Sequence, residues 1–432
     1  MKMLHGLVLA FCFIASLDAY STEWTAPDSI QWRGESKKQG IPDVGERMTI
    51  AWLPTEKLTG KWMRVIAVSD KNTAFQIWLH LFEGNLPFAR PLPSYCKTQQ
   101  QKTECIAEGW VPGSVPQLKV RAAFFYSDGS PVQLSNLIVE QADGLQVNAE
   151  NNKRLDELIN KLKSLYFKSA EVDWNKLREL VSPGLPAPRD IDPLPYLAAL
   201  VVARLPDGRH SFVYSTQSDA LEMESQPYSL PECRKISKSS VIIELPATPD
   251  NEKFNDAYVN AAHRCLQIPG VSHWIADLRH NRGGNASVQI AALAALFGPG
   301  ICMNYINGLK EIMPVRIKHD GIYIDQILNF RKPLKWNPRL QTAKVTALIG
   351  PGCGSSCEAL AIALSSRPRT SLIGQVTSGY ASANESLLLN SHFNLALTAG
   401  YMADKYGRIS YPSVQPNIGT NDDIIRRIFS TK

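Results

Sequence analysis

From Ser239 onward, runs suited to buried strands alternate with runs suited to helices, and this alternation restricts the possible folds more than any other feature. VIIEL is a short apolar strand and FNDAYVNAAHRCL a helix. WIADLRHNRGG is a strand that breaks into a glycine turn, ASVQIAALAALF is a helix closed by Gly298 and Pro299, and KVTALIGPG is another strand. Strand, loop and helix in this order describe an α/β core with parallel pairing, because parallel neighbours need a crossover connection. In such sheets functional groups gather at the carboxyl ends of the strands, where both glycine turns lie.

Residues 20–145 follow a different rhythm. RMTIAWL, KWMRVIAVS, AFQIWLHLF, LKVRAAFFYS and LSNLIVEQ are β-type runs separated by turn residues, which predicts an antiparallel sandwich. Its aromatic strands resemble a carbohydrate-module jelly roll. A domain of that kind binds a carbohydrate or protein ligand, or packs against and orients its neighbour, and both roles stay open. Across 146–206 the period becomes helical. Leu155, Leu158, Ile159, Leu162, Leu165 and Tyr166 share one face, DWNKLREL begins with an acidic capping residue, and PLPYLAALVVARL carries Pro in its first turn. These helices carry core contacts rather than chemistry.

The first 19 residues, MKMLHGLVLAFCFIASLDA, have a basic start, an apolar run from Leu7 to Leu17 and small residues near Ala19. That is the layout of a secretory signal peptide, too short for a permanent membrane anchor, and a lipoprotein reading through Cys12 is disfavoured by bulky Phe11 before it. A secreted or periplasmic location follows. Export places the other seven cysteines, Cys96, Cys105, Cys233, Cys265, Cys302, Cys353 and Cys357, where they can pair, and an odd number leaves at least one over. Cys96 and Cys105 bracket a polar segment and form the best local bridge. No histidine stands at ligand spacing from a cysteine pair, so no metal site is expected. The net charge of +6 comes from 46 basic and 40 acidic residues scattered along the chain, without the clustered basic face of a nucleic-acid binder.

PGCGSSCEALAIAL sets Ser355 and Ser356 at the mouth of a helix. Serine there is a good N-cap, and equally a nucleophile whose product oxyanion the free amides of the first turn can hold. Two remote segments bear on the choice. LPDGRHSFVY places His210 after a glycine-containing turn, and DLRHNRGG offers paired glycines whose amides can approach a bound group closely.

With DLRHNRGG, CGSSCEA, GQVTSG and VQPN in that order, and VDWNKLR and DGRHS upstream, the chain resembles the tail-specific or C-terminal processing serine proteases, a family that includes interphotoreceptor retinoid-binding proteins and tricorn-like core proteases. The resemblance runs from about Asn148 to the C-terminus. It implies a crotonase-like α/β core at 207–432, preceded by the helical subdomain and the β-sandwich, and a serine-type endopeptidase acting on a peptide or protein without metal or organic cofactor. Carried over position by position, it assigns Ser355 as nucleophile, with the amides of Ser356 and of Gly283 or Gly284 as oxyanion donors. The general-base lysine of one branch is replaced here by Tyr380, so the base implied is His210, as in tricorn-like relatives. For the group orienting the imidazole the candidates are Glu385 and, behind it, Glu358; the late acid of tricorn-like relatives is missing from RISYPSVQPN. A cysteine nucleophile fits less well, because Cys357 falls inside the helix and Cys353 before the turn. A disulfide across the serine loop would rigidify it. The short segment from Ser211 to Lys238 has no room for a PDZ domain. The rival function is a catalytically inactive binding protein of the same fold, recognising a peptide or apolar ligand.

Overall fold

The computed structural model describes residues 149–181, 192–206, 210–215, 229–248 and 252–420, and in the N-terminal part 35–38, 47–53, 61–70, 75–83, 86–87, 95–99, 102–111, 118–126 and 135–142. Residues 1–19, expected to form a signal peptide and including Cys12, lie outside the described residues.

The site is carried by a six-stranded sheet whose strands run in sequence order: Glu232–Lys235, Ser240–Glu244, His273–Asp277, Lys344–Ile349, Thr370–Gly374 and Ile418–Gly419. The first pair is antiparallel and every later pair is parallel. Val241, Ile243, Trp274, Ala276, Val345 and Ala347 are buried on one face against the helices Glu252–Leu266, Ala286–Ala292 and Ser356–Ser365, while Ile242, Ile275 and Leu348 form a smaller cluster on the other. Burial on both faces is why these strands read as continuous apolar runs rather than alternating ones. The expected single helix ASVQIAALAALF is interrupted at Leu293 (φ −108°, ψ 13°), giving Ala286–Ala292 and Ala294–Phe297. With apolar residues throughout the run, core contacts around fully buried Leu293 decide where it bends.

A second sheet is wholly antiparallel. Its main path is Phe212–Ser215, Phe393–Asp404, Gly300–Asn307, Ile312–Lys318, Gly321–Ile324 and Ile327–Arg331, with Ser382–Leu388 also paired to Phe393–Asp404. Further upstream lie a five-stranded and a four-stranded antiparallel sheet. All five β-type runs read from the sequence are strands here, joined by Glu35–Lys38, Leu86–Pro87, Tyr95–Gln99 and Lys102–Val111, which sequence reading missed. Tyr95–Gln99 and Lys102–Val111 form a hairpin in which Cys96 and Cys105 are directly opposite and bridged. The helix Ala149–Leu165 buries Leu155, Leu158, Ile159 and Leu162 in one cluster with Trp62, Met63 and Val65 of the four-stranded sheet. Asp173 caps Trp174–Val181 by accepting from the Lys176 amide at 3.0 Å.

Candidate active site

Because the strands ending at Glu244, Asp277, Ile349 and Gly374 are consecutive parallel neighbours, the four segments that follow them emerge side by side along one sheet edge. Residues as far as 72 positions apart in sequence, such as Gly284 and Ser356, are thereby brought into contact. A Cβ built on Gly283 would meet Gly354 O at 2.8 Å, Ser355 Cβ at 3.1 Å and Ser356 N at 3.3 Å. Gly354 N donates to Asn281 O at 3.2 Å, so the serine turn and the glycine turn are also hydrogen-bonded.

The glycine turn is organised by residues whose role the sequence did not announce. Asn281, fully buried, accepts the Gly283 amide on Oδ1 at 2.9 Å and exchanges amide hydrogen bonds with Gln289, whose Nε2 donates to Gly283 O at 2.7 Å. Thr248 donates its backbone N–H to Gly283 O and accepts the Asn285 amide on Oγ1. Asp277 and Arg279 form a two-point ion pair at 2.9 and 2.6 Å that fixes the start of the turn. Gly283 (φ +113°) and Gly284 (φ +109°) occupy left-handed backbone, and a Cβ on Gly284 would overlap the Thr248 carbonyl, so only glycine fits. With the Gly283 N–H given to Asn281, the backbone N–H groups of Gly284 and Ser356 are among those at this edge that donate to no group among the described residues.

Ser355 itself sits at φ +55°, ψ −115°, a conformation residues with a Cβ rarely adopt, and it immediately precedes the helix Ser356–Ser365. Its neighbour Ser356 is buried, and its hydroxyl donates to Gly284 O in a short hydrogen bond. One serine hydroxyl therefore braces the two turns together, while the other stands at the strained corner.

Glu358, fully buried in the first helical turn, accepts four hydrogen bonds: from Ser355 N at 2.9 Å, Tyr380 N at 2.8 Å, Gly379 N at 3.1 Å and Thr377 Oγ1 at 2.5 Å. Burial raises its pKa, and the four donors pull the other way without cancelling that effect. Glu358 thus ties the serine to the GQVTSGY loop rather than reaching a histidine. Ser378 reinforces the junction through its amide and hydroxyl, both donating to Cys353 O.

His210 approaches from the antiparallel sheet. Its Nδ1 lies 2.9 Å from Ser382 Oγ, and its carbonyl accepts from Asn384 Nδ2 at 2.8 Å. Alternate residues of Ser382–Leu388 share a face, so Ser382 and Asn384 point towards His210 while Glu385 lies exposed on the opposite face. The structure brings a hydroxyl, not the Glu385 carboxylate, to the imidazole; the only sequence signal was the position of Ser382 two residues after the aromatic that replaces lysine. Tyr380 touches both halves of the site. Its ring centroid is 5.2 Å from that of His210, and its Cδ2 is 3.6 Å from where a Cβ on Gly354 would stand. His280, on the rim beside the glycine turn, is exposed.

Cysteine usage matches an oxidised chain. Cys96–Cys105, Cys233–Cys265 and Cys353–Cys357 are bridged, the last across Ser355, and among the described residues Cys302 is free and buried, its thiol pushed up to about 12 by burial. Among the described residues no group of side chains could hold a metal ion, and no helix is long and apolar enough to cross a membrane.

Sheet order, serine corner and glycine turn define an α/β protein in which a strained serine turn meets a glycine turn at the carboxyl ends of parallel strands. Residues 242–420 match the model of peptidase family S41, and the chain carries a domain of that family. The matched span runs from the second strand of the six-stranded sheet to just past its last. The chain is 25% identical over 231 residues to the nisin-resistance protein of Lactococcus lactis subsp. lactis, covering 53% of this chain and 70% of that one. Among solved structures it is similar in fold to a lipoprotein from Streptococcus agalactiae, with a TM-score of 0.54 and 18% identity, covering 64% of this chain and 94% of the other.

Proposed function

We propose that the chain is an exported serine endopeptidase with a crotonase-like core, in which Ser355 attacks the scissile carbonyl of a peptide or protein. His210 takes the Ser355 proton through Nε2, with Nδ1–H held by Ser382 Oγ, and later returns it to the leaving amine. The amides of Ser356 and Gly284 hold the tetrahedral oxyanion, aided by the positive end of the helix that starts at Ser356. The backbone of Gly283 supplies the close approach, its own N–H being spent on Asn281. Glu358 is a positioning residue for the Ser355 backbone. In this reading the two N-terminal sheets make up a β-sandwich that serves as a carbohydrate- or protein-binding or orienting module.

The observation that carries this reading is the 3.1 Å approach of a Cβ position on Gly283 to Ser355 Cβ, which joins the two turns the family resemblance pairs. A serine-reactive fluorophosphonate tests it. Labelling should map to Ser355, vanish in Ser355→Ala and slow by about 100-fold or more in His210→Ala. The inactive-binder reading draws support from the hydroxyl that stands where a carboxylate would be expected on His210, and complete absence of labelling would select it.

A further inference from the structure

We propose that the Cys353–Cys357 disulfide positions Ser355 and makes the nucleophile depend on oxidation, so that the peptidase reaches its full rate only once its chain is in an oxidising compartment. This rests on Ser355 being the nucleophile. The bridge spans i to i+4 with Ser355 at its centre, closing a ring of five residues around the corner that holds φ +55°. Such a backbone persists only where its surroundings over-determine it. Gly352 and Gly354 flank Cys353, and glycine has the greatest freedom to relax away from a strained turn. Glu358 and Ser378 restrain the corner through hydrogen bonds, and the disulfide is the one covalent restraint across it.

Both cysteines are fully buried beneath the turn, in the same cluster as Leu278, Leu360 and Ala361. The bridge therefore faces the core rather than a partner chain. Cys353 precedes the corner and Cys357 lies in the first helical turn, so breaking the bridge releases the two sides of Ser355 from each other while the helix remains. The chemistry is a two-electron exchange with a dithiol. A thiolate of the dithiol attacks one sulfur to give a mixed disulfide, its second thiol displaces the protein thiolate, and Cys353–SH and Cys357–SH remain beside the oxidised, cyclic dithiol. Two protons and two electrons pass to the protein, and the reverse exchange with a disulfide donor of the exit compartment restores the bridge. Because both sulfurs are inaccessible, exchange proceeds through local opening of the turn and is slow.

The test uses the full chain, with dithiothreitol as reductant and mass mapping to count free thiols at Cys353 and Cys357. Fluorophosphonate labelling at Ser355 should slow by about tenfold or more on reduction, matching the relaxed fraction expected for a released strained corner, and recover on reoxidation. The C353A/C357A variant should label at the reduced rate and ignore dithiothreitol. C96A/C105A and C233A/C265A should label like the wild type while oxidised and still lose rate on reduction. The pH midpoint of labelling should not move, since His210 is untouched, whereas general loosening of the site would shift it. Equal labelling of C353A/C357A and wild type would overturn the proposal, as would a rate loss on reduction that disappears in either control pair. Where C353A/C357A fails to fold, the reduction and reoxidation series of the wild type and of the two control pairs decides the matter, with thiol mapping at Cys353 and Cys357. No label on the oxidised wild type would remove the nucleophile and the switch together; unequal fates separate the two.

Discussion

Replacing Gly283 with alanine tests the meeting of the two turns directly. At φ +113° any residue with a Cβ is strained by about 1–3 kcal/mol. The added methyl would also stand 2.8 Å from Gly354 O, 3.1 Å from Ser355 Cβ and 3.3 Å from Ser356 N, all on a backbone with little slack. Overpacking of this kind costs a further ~1–3 kcal/mol. Gly300 provides the matched control: its φ is +124°, and a Cβ there meets nothing within 4 Å. Gly300→Ala should therefore lose only the strain energy in denaturant unfolding and keep its labelling rate. Gly283→Ala should lose about 2–6 kcal/mol of stability. In the molecules that remain folded, the methyl displaces or screens the Ser356 donor, worth about 2.7–4 kcal/mol of transition-state stabilisation, or about 100- to 1000-fold in rate. The assay pairs urea unfolding with the second-order fluorophosphonate rate measured in the folded baseline. A Gly283→Ala protein labelled within about twofold of Gly300→Ala would show that this contact lies away from any working oxyanion site.

Ser382→Ala should remove the hydroxyl that lies 2.9 Å from His210 Nδ1 and cut the labelling rate by about 10- to 100-fold, with Ser382→Thr restoring most of it; an unaffected Ser382→Ala would exclude the hydroxyl as the orienting group. Glu358→Gln removes a buried charge yet turns an NH₂ towards backbone donors, so it should destabilise by about 1–3 kcal/mol in chemical unfolding. Since burial raises the Glu358 pKa, its contribution to stability is fullest below the ordinary glutamate range and declines as pH rises through the raised value. The same variant should therefore flatten the pH slope of stability just above the ordinary glutamate range, and an unchanged slope there would refute this assignment. Arg367, buried, donates to the carbonyls of Leu296, Leu340, Gln341, Ala343 and Pro368, so Arg367→Met should cost at least about 3 kcal/mol by thermal or urea unfolding, with Arg367→Lys a poor substitute.

Local pattern in the chain was enough to determine the alternation of strand and helix after Ser239, the strand class of the N-terminal part, the helical face at Leu155 to Leu162, and the serine and glycine turns as the places where chemistry could sit. These are properties of periodicity, turn residues and short motifs, which act over a few residues and so are written in order along the chain. Tertiary structure alone decided which turns meet, because strand order sets that: Asp277 and Ile349 end adjacent parallel strands, and nothing local in either segment says so. It also decided the partner of His210, since Ser382 and Glu385 belong to one short strand and only the pairing of that strand chooses the face that looks inward. The same holds for Asn281, whose buried side chain takes the Gly283 amide, and for Glu358, which the sequence offers as a second candidate for orienting the imidazole and the fold uses as the acceptor for four donors drawn from two loops. Hydrogen-bond partners are assigned by three-dimensional proximity, so a residue type announces what it can bond but not what it will meet.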